Sequence, residues 1–145
     1  MNYKGGKGMD LFYYPPIVAI DFDGTIYADG YPDIEEGHFV KDAIDSIKTI
    51  QNAGWRTVLW TCREGDYLKD ARQVLNDEGI YMDGYNENIL TQEELDEFGF
   101  KDTRKIGADV YIDDKIIGGF TNWIAIKQKL LTLYDENNMQ MDLFG

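Results

Sequence analysis

The stretch Ile17-Val18-Ala19-Ile20-Asp21-Phe22-Asp23-Gly24-Thr25 constrains the fold more than any other part of the chain. Four apolar residues, opened by Pro15-Pro16 and closed by two carboxylates and a glycine, read as a short buried strand of a parallel sheet. Carboxylates at the end of such a strand are costly to desolvate, so a pair there calls for a cation or a proton-transfer role. Open α/β sheets bind ligands beyond the carboxyl ends of their strands, and Asp21 stands at that end. Alternate residues of an extended chain share a face, which leads to the expectation that Asp21 and Asp23 converge on one point before Gly24 turns the chain. Two hard oxygen donors of this kind suit magnesium, which takes few carboxylates together with water and phosphate oxygens.

Two further segments repeat the pattern. Val58-Leu59-Trp60-Thr61 is an apolar run ending in a hydroxyl, and Val110-Tyr111-Ile112-Asp113-Asp114 is one ending in paired acids. Each has an ordinary explanation on its own. Asp-Gly after a strand is a common turn, Thr is a common helix cap, and two acids can form a solvated loop. Three apolar strands that each end in a group of suitable chemistry are harder to dismiss.

Between these strands the apolar spacing is helical. Val40, Ala43, Ile44, Ile47 and Ile50 form one face, ended by Asn52-Ala53-Gly54, and Tyr67, Leu68, Ala71, Val74 and Leu75 form another, stopped near Gly79. Residues 26–37 read as a hairpin or loop beside the strand ends. Ile80 to Tyr85 reads as a short strand with Asn86-Glu87-Asn88 at its end, and Thr91 with Glu94 as a capping box. Thr121 is the expected cap of a final helix carrying Trp123, Ile124, Ile126, Leu130, Leu131 and Tyr134. The alternation predicts a three-layer, Rossmann-like α/β fold with a mainly parallel sheet flanked by helices. Residues 1–14, with Gly5, Gly6 and Gly8, read as a mobile leader, residues 15–135 as the domain and residues 136–145 as a tail.

Composition narrows the function. A chain of 145 residues with 43% hydrophobic content can bury one core, and it contains no apolar run of membrane-spanning length and no signal-peptide core, so a cytoplasmic location is the expectation. A net charge of −13 repels the nucleic-acid backbone and argues against non-specific binding to DNA or RNA. Cys62 is the single cysteine, which rules out an intrachain disulfide; beside Thr61 it reads as a small buried residue near the site. His38, the single histidine, reads as a loop or helix-start residue.

Asp21-Phe22-Asp23-Gly24-Thr25 resembles the first motif of the haloacid dehalogenase-like superfamily of aspartate-nucleophile phosphotransferases. Thr61 after its strand is similar to the second motif, and Asp113-Asp114 to the fourth. Lys105 fits the third, with Arg104 and Lys115 as rivals. The resemblance implies a phosphatase in which Asp21 attacks phosphorus and Asp23 serves as acid and base, since the dehalogenases of the superfamily lack that second acid. It implies that Thr61, Cys62 and Lys105 hold the phosphoryl group. Magnesium would be held by Asp21, Asp23 (through its backbone carbonyl), Asp113 and Asp114. Only 35 residues separate Thr25 from Thr61, and 43 separate Thr61 from Lys105. Neither interval has room for a bulky cap, so the chain resembles the capless or minimally capped members, whose open sites suit a phosphate carried on a nucleotide or nucleic-acid end.

The tail carries a separate signal. Gln140-Met141-Asp142-Leu143-Phe144 resembles the pentapeptide by which bacterial replication and repair proteins bind the sliding clamp, departing at Met141, where Leu is usual. A tethered Gln with a Leu-Phe pair is a peptide-in-groove ligand, so Gln140, Leu143 and Phe144 are the candidate partner-binding residues. The alternative to an enzyme is therefore an adaptor or regulatory module on the same fold, working through this tail.

Overall fold

The run after Pro16 forms a strand buried along its whole length, β1 (Ile17–Ile20), at the centre of a four-stranded parallel sheet. The computed structural model describes residues 10–98 and 105–144, with the side chains of the last helix described as far as Asn138. After β1 come a small antiparallel hairpin of β2 (Tyr27–Ala28) and β3 (His38–Phe39), helix α1 (Ala43–Ala53), β4 (Arg56–Leu59), α2 (Gly65–Asp77), β5 (Gly84–Tyr85), α3 (Gln92–Phe98), β6 (Val110–Ile112) and α4 (Trp123–Phe144). The sheet order is β5-β4-β1-β6. Crossovers through α1 and α2 therefore step in one direction from β1, and the crossover through α3 returns past β1 to β6. That reversal makes the gap between β1 and β6 the topological switch point of the sheet, where open α/β folds form their binding crevices.

The strand residues divide between two apolar clusters, as the two-residue period of a strand requires. Val18, Ile20, Leu59 and Ile112 pack with Ile47 and Ile50 of α1, Ala71 and Leu75 of α2, and Trp123, Leu130 and Leu133 of α4. Ile17 and Val58 point the other way, onto Tyr13 and Ile106 with Leu90 and Ala108 beside them. Arg56, on that second face, clasps Glu94 of α3 through both terminal guanidinium nitrogens at 2.9 and 2.7 Å, and these hydrogen bonds hold the Glu94 carboxyl below the usual range. The three expected layers are thus helices α1, α2 and α4, the sheet, and α3 with its flanking loops.

Several local expectations hold and others shift. Thr91 and Glu94 form the reciprocal capping box, each backbone N–H meeting the other's side chain at 3.1 Å. The strand expected over residues 80–85 is confined to Gly84–Tyr85. The last helix is capped by Asn122, whose Oδ1 accepts the N–H of Ala125 at 2.8 Å, and not by Thr121. Its backbone also continues through Phe144, beyond the polar Asp135–Asn138 stretch that suggested its end. Gln140, Leu143 and Phe144 therefore stand on helical backbone instead of a separate tail, and their side chains lie outside the described residues. At the other end, residues 1–9 of the expected leader also lie outside them, while residues 11–13 are tied down. The backbone N–H groups of Phe12, Tyr13 and Ile17 all donate to the Asp109 carboxylate, Leu11 donates to Asn137, and Tyr13 is buried. No helix among the described residues is long and apolar enough to cross a membrane.

Helix α1 packs against α4, where the buried Trp55 indole donates to the carbonyl of Leu130 at 3.1 Å. Gly54 makes this approach possible. It ends α1 at φ +116°, and a β-carbon there would fall on the ring and hydroxyl of Tyr134. Gly54→Ala is expected to lower the unfolding free energy by about 1–3 kcal/mol through the combined cost of positive φ and overpacking, read as a lower urea midpoint at unchanged slope.

Candidate functional site

Strand register builds the site. Ile20 is paired with Leu59 on one side and Ile112 on the other, so the residues that follow, Asp21, Trp60-Thr61 and Asp113, emerge side by side from the carboxyl edge. The backbone N–H groups of Asp21 and Trp60 continue the ladder one step, to Ile112 and Ile20 at 2.9 Å each. Asp21, Asp113 and Asp114 each place a carboxylate oxygen within 4.8 Å of the others, all three half-buried.

Two residues of the first loop hold this cluster together. Thr25 is fully buried, and its hydroxyl accepts the backbone N–H of Asp114 at 3.0 Å while lying 3.4 Å from oxygens of both Asp21 and Asp114. Its carbonyl accepts the indole N–H of Trp123 at 2.8 Å, which fastens the loop to the start of α4. Gly24, at φ +83°, lies against Asp114 so closely that a β-carbon would fall on that carboxylate. The sequence pattern contained Thr25 without giving it a role; the structure makes it the hinge pin between the β1 and β6 loops.

Asp23 does not converge with Asp21. The strand ends at Ile20, and the carbonyl of Phe22 then accepts the N–H groups of Thr25, Ile26 and Tyr27, so the chain curls before Asp23 can extend alongside its neighbour. The Asp23 carboxylate instead meets Arg63, whose Nε and Nη2 donate to its two oxygens at 2.7 and 2.8 Å. Arg63 is 2% exposed, a rare state for arginine that requires full pairing. Two further donors reach the carbonyls of Gly30 at 2.7 Å and Tyr67 at 3.3 Å, and its guanidinium carbon lies 5.1 Å from the Phe22 ring centre and 5.2 Å from that of Tyr31. Sequence reasoning passed over Arg63. The available signal was a cation two residues beyond a strand-end threonine in a strongly acidic chain.

Thr61 sits where the register puts it, with its backbone N–H donating to Asn86 Oδ1 at 2.8 Å and its hydroxyl accepting the N–H of Arg63 at 3.1 Å. Asn86, at φ +56° after β5, also donates to the Arg63 carbonyl at 2.9 Å, so it fastens both ends of the Thr61–Arg63 turn. Cys62 is exposed, which corrects the expectation of a buried space-filler. His38 lies exposed in β3 and takes no part in the cluster.

The cationic position divides differently from the expectation. Lys105 Nζ stands 5.0 Å from the ring centre of Tyr111, whose hydroxyl turns back to the Ile106 carbonyl. Lys115 Nζ lies 3.7 Å from Asp114 Oδ2, and the Lys115 backbone N–H donates to Asp113 at 2.9 Å. Arg104 lies outside the described residues. Lys115 therefore stands beside the acids, though an exposed pair of this length supplies little energy.

Burial first and the charge of Asp113 second push the Asp21 carboxyl up to about 7. Such a group fits a hard divalent cation, because a cation bound by Asp21, Asp113 and Asp114 would remove the repulsion that now opposes ionisation. The shift also fixes a sign. Unfolded, Asp21 ionises near the ordinary value of about 3.9, while the folded protein keeps its proton to higher pH, so this residue costs stability progressively as pH rises from about 4 to about 7. Asp21→Asn should therefore stabilise the metal-free protein at pH 8 by about 1–2 kcal/mol, after discounting for solvent screening at a half-exposed site, and leave it unchanged near pH 3.5. Thermal melts of both proteins at the two pH values check this.

No protein-family model and no curated protein matches the chain. Among solved structures, the chain is similar to a conserved protein from Bacteroides thetaiotaomicron, with a TM-score of 0.67 and 33% sequence identity, over 78% of this chain and 87% of that one. At that identity over most of both chains, the protein belongs to the same family as this conserved Bacteroides protein.

Proposed function

We propose that the chain is a magnesium-dependent phosphomonoester hydrolase of the haloacid dehalogenase-like type, working through an aspartyl-phosphate. The observation that carries this reading is the set of groups at one carboxyl edge: Asp21, Asp113 and Asp114 within 4.8 Å of one another, with Thr61 just beyond the end of the neighbouring strand. Magnesium held by the three carboxylates would offset charge on the transferring phosphoryl group and favour the ionised form of Asp21.

The chain's own residues account for the remaining steps. Asp21 attacks phosphorus in line, its oxygen forming the new P–O bond as the ester bond breaks. Asp23 gives a proton to the departing ester oxygen. It then takes a proton from the water that attacks the aspartyl-phosphate, and the Asp21–phosphorus bond breaks to release inorganic phosphate and restore the carboxylate. Both Asp23 oxygens are bonded to Arg63, so before the first step Asp23 must release one of those bonds and take a proton from solvent, and the proton it later takes from the attacking water restores it for the next turnover. Thr61 presents its hydroxyl to the phosphoryl oxygens. Lys115 is placed to add positive charge from the β6 side.

Hydrolysis of an aryl phosphate is expected with magnesium and absent with chelator. Asp21→Asn should lower kcat by at least about a thousandfold, as removal of a nucleophile does. Equal turnover by the wild type and Asp21→Asn would reject the nucleophile. Magnesium should also raise the melting temperature of the wild type more than that of Asp21→Asn, a readout independent of activity.

A further inference from the structure

Next to Asp23 stand two exposed tyrosines that the phosphatase chemistry does not use. Tyr31, in the loop between β2 and β3, is 64% exposed, and Tyr67, near the start of α2, is 46% exposed. Their ring centres are 5.7 Å apart at an interplanar angle of 51°. Scattered exposed aromatics need no explanation, but this pair comes from two separate segments that one buried side chain holds in place. Arg63 donates to the carbonyl of Gly30, the residue before Tyr31, and to that of Tyr67 itself, and its guanidinium lies under the Tyr31 ring. The same guanidinium grips both oxygens of Asp23. The two segments that carry the rings are therefore tied to the residue that holds Asp23, and the Tyr31 ring lies against its guanidinium.

We propose that Tyr31 and Tyr67 form a stacking platform for the base of a mononucleotide, which makes a nucleoside the preferred leaving group. This rests on the phosphatase reading above. A preformed aromatic surface selects a planar π-face and tolerates its identity, because every base has one. The overall charge of −13 disfavours a polyanion, so the occupant is a single nucleotide and not the end of a nucleic-acid strand.

The test compares kcat/KM for thymidine 5′-monophosphate, glycerol phosphate and a 5′-phosphorylated oligonucleotide, with magnesium. The wild type should prefer the nucleotide over glycerol phosphate by about tenfold or more, the scale of one base–aromatic stack. In the double variant Tyr31→Leu with Tyr67→Leu, that ratio should fall towards one through KM, while Tyr31→Phe should keep it. No preference in the wild type, or a ratio that survives in the double variant, overturns the platform, and the wild-type comparison decides even if the double variant fails to fold. Faster turnover of the oligonucleotide end than of the mononucleotide overturns the choice of a mononucleotide. If the wild type turns over none of the three esters, the phosphatase reading falls instead. Calorimetric binding of thymidine 5′-monophosphate then judges the platform: binding about tenfold weaker in the double variant supports it, and equal binding overturns it.

Discussion

Three carboxylates at the end of a parallel sheet repel one another and lose solvation, and the rest of the molecule is arranged so that they stay together. The ladder from Ile17 to Ile20 against β4 and from Val18 to Ile20 against β6 sets their height to within one residue. Thr25 then ties the loop after β1 to the backbone of Asp114, and Trp123 ties Thr25 to the core. A set of like charges held by buried apolar strands is an arrangement that folding alone would not favour. The raised Asp21 carboxyl expresses that opposition directly.

Arg63 performs a second kind of positioning. A buried guanidinium left without partners would cost several kcal/mol, and four of its five donors are distributed among Asp23, Gly30 and Tyr67. These partners belong to the β1 loop, the hairpin and α2. One side chain thereby couples three segments that the backbone ladder does not connect. Asp23 is thereby held by Arg63 and kept out of the cluster that Asp21, Asp113 and Asp114 form.

Parallel strands with apolar runs, their polar end groups, the helices between them and the Thr91–Glu94 capping box were all legible in the sequence, because each is a local pattern with a single strong physical cause. Convergence of Asp21 with Asp113-Asp114 was legible too, once parallel pairing is assumed, since register then places strand ends side by side. What was not legible depended on contacts far apart in the chain. Asp23 looked like a partner of Asp21 because the two are separated by one residue, but its position is decided by a curl at Phe22 and by an arginine 40 residues away. The surroundings of Lys105 and Lys115 likewise depend on how the loops flanking β6 turn, and Tyr111 beside Lys105 is not a signal that periodicity carries.

Access to the site follows from the same economy of chain. Between β1 and β4 the described residues provide one two-stranded hairpin and α1, and nothing of domain size that could close over the carboxylates. The hairpin is nonetheless stiff where it matters. Tyr27 stacks on Phe22 at 5.4 Å, meets Phe39 edge-on at 5.0 Å and donates its hydroxyl to the Ile34 carbonyl at 2.7 Å. Gly30 and Tyr31 are therefore carried on a segment anchored in the core at one end and gripped by Arg63 at the other. An enzyme with a large mobile cap can exclude water and choose its substrate by closing. Here the hairpin is small and fixed, and the surface that it presents beside Arg63 is aromatic.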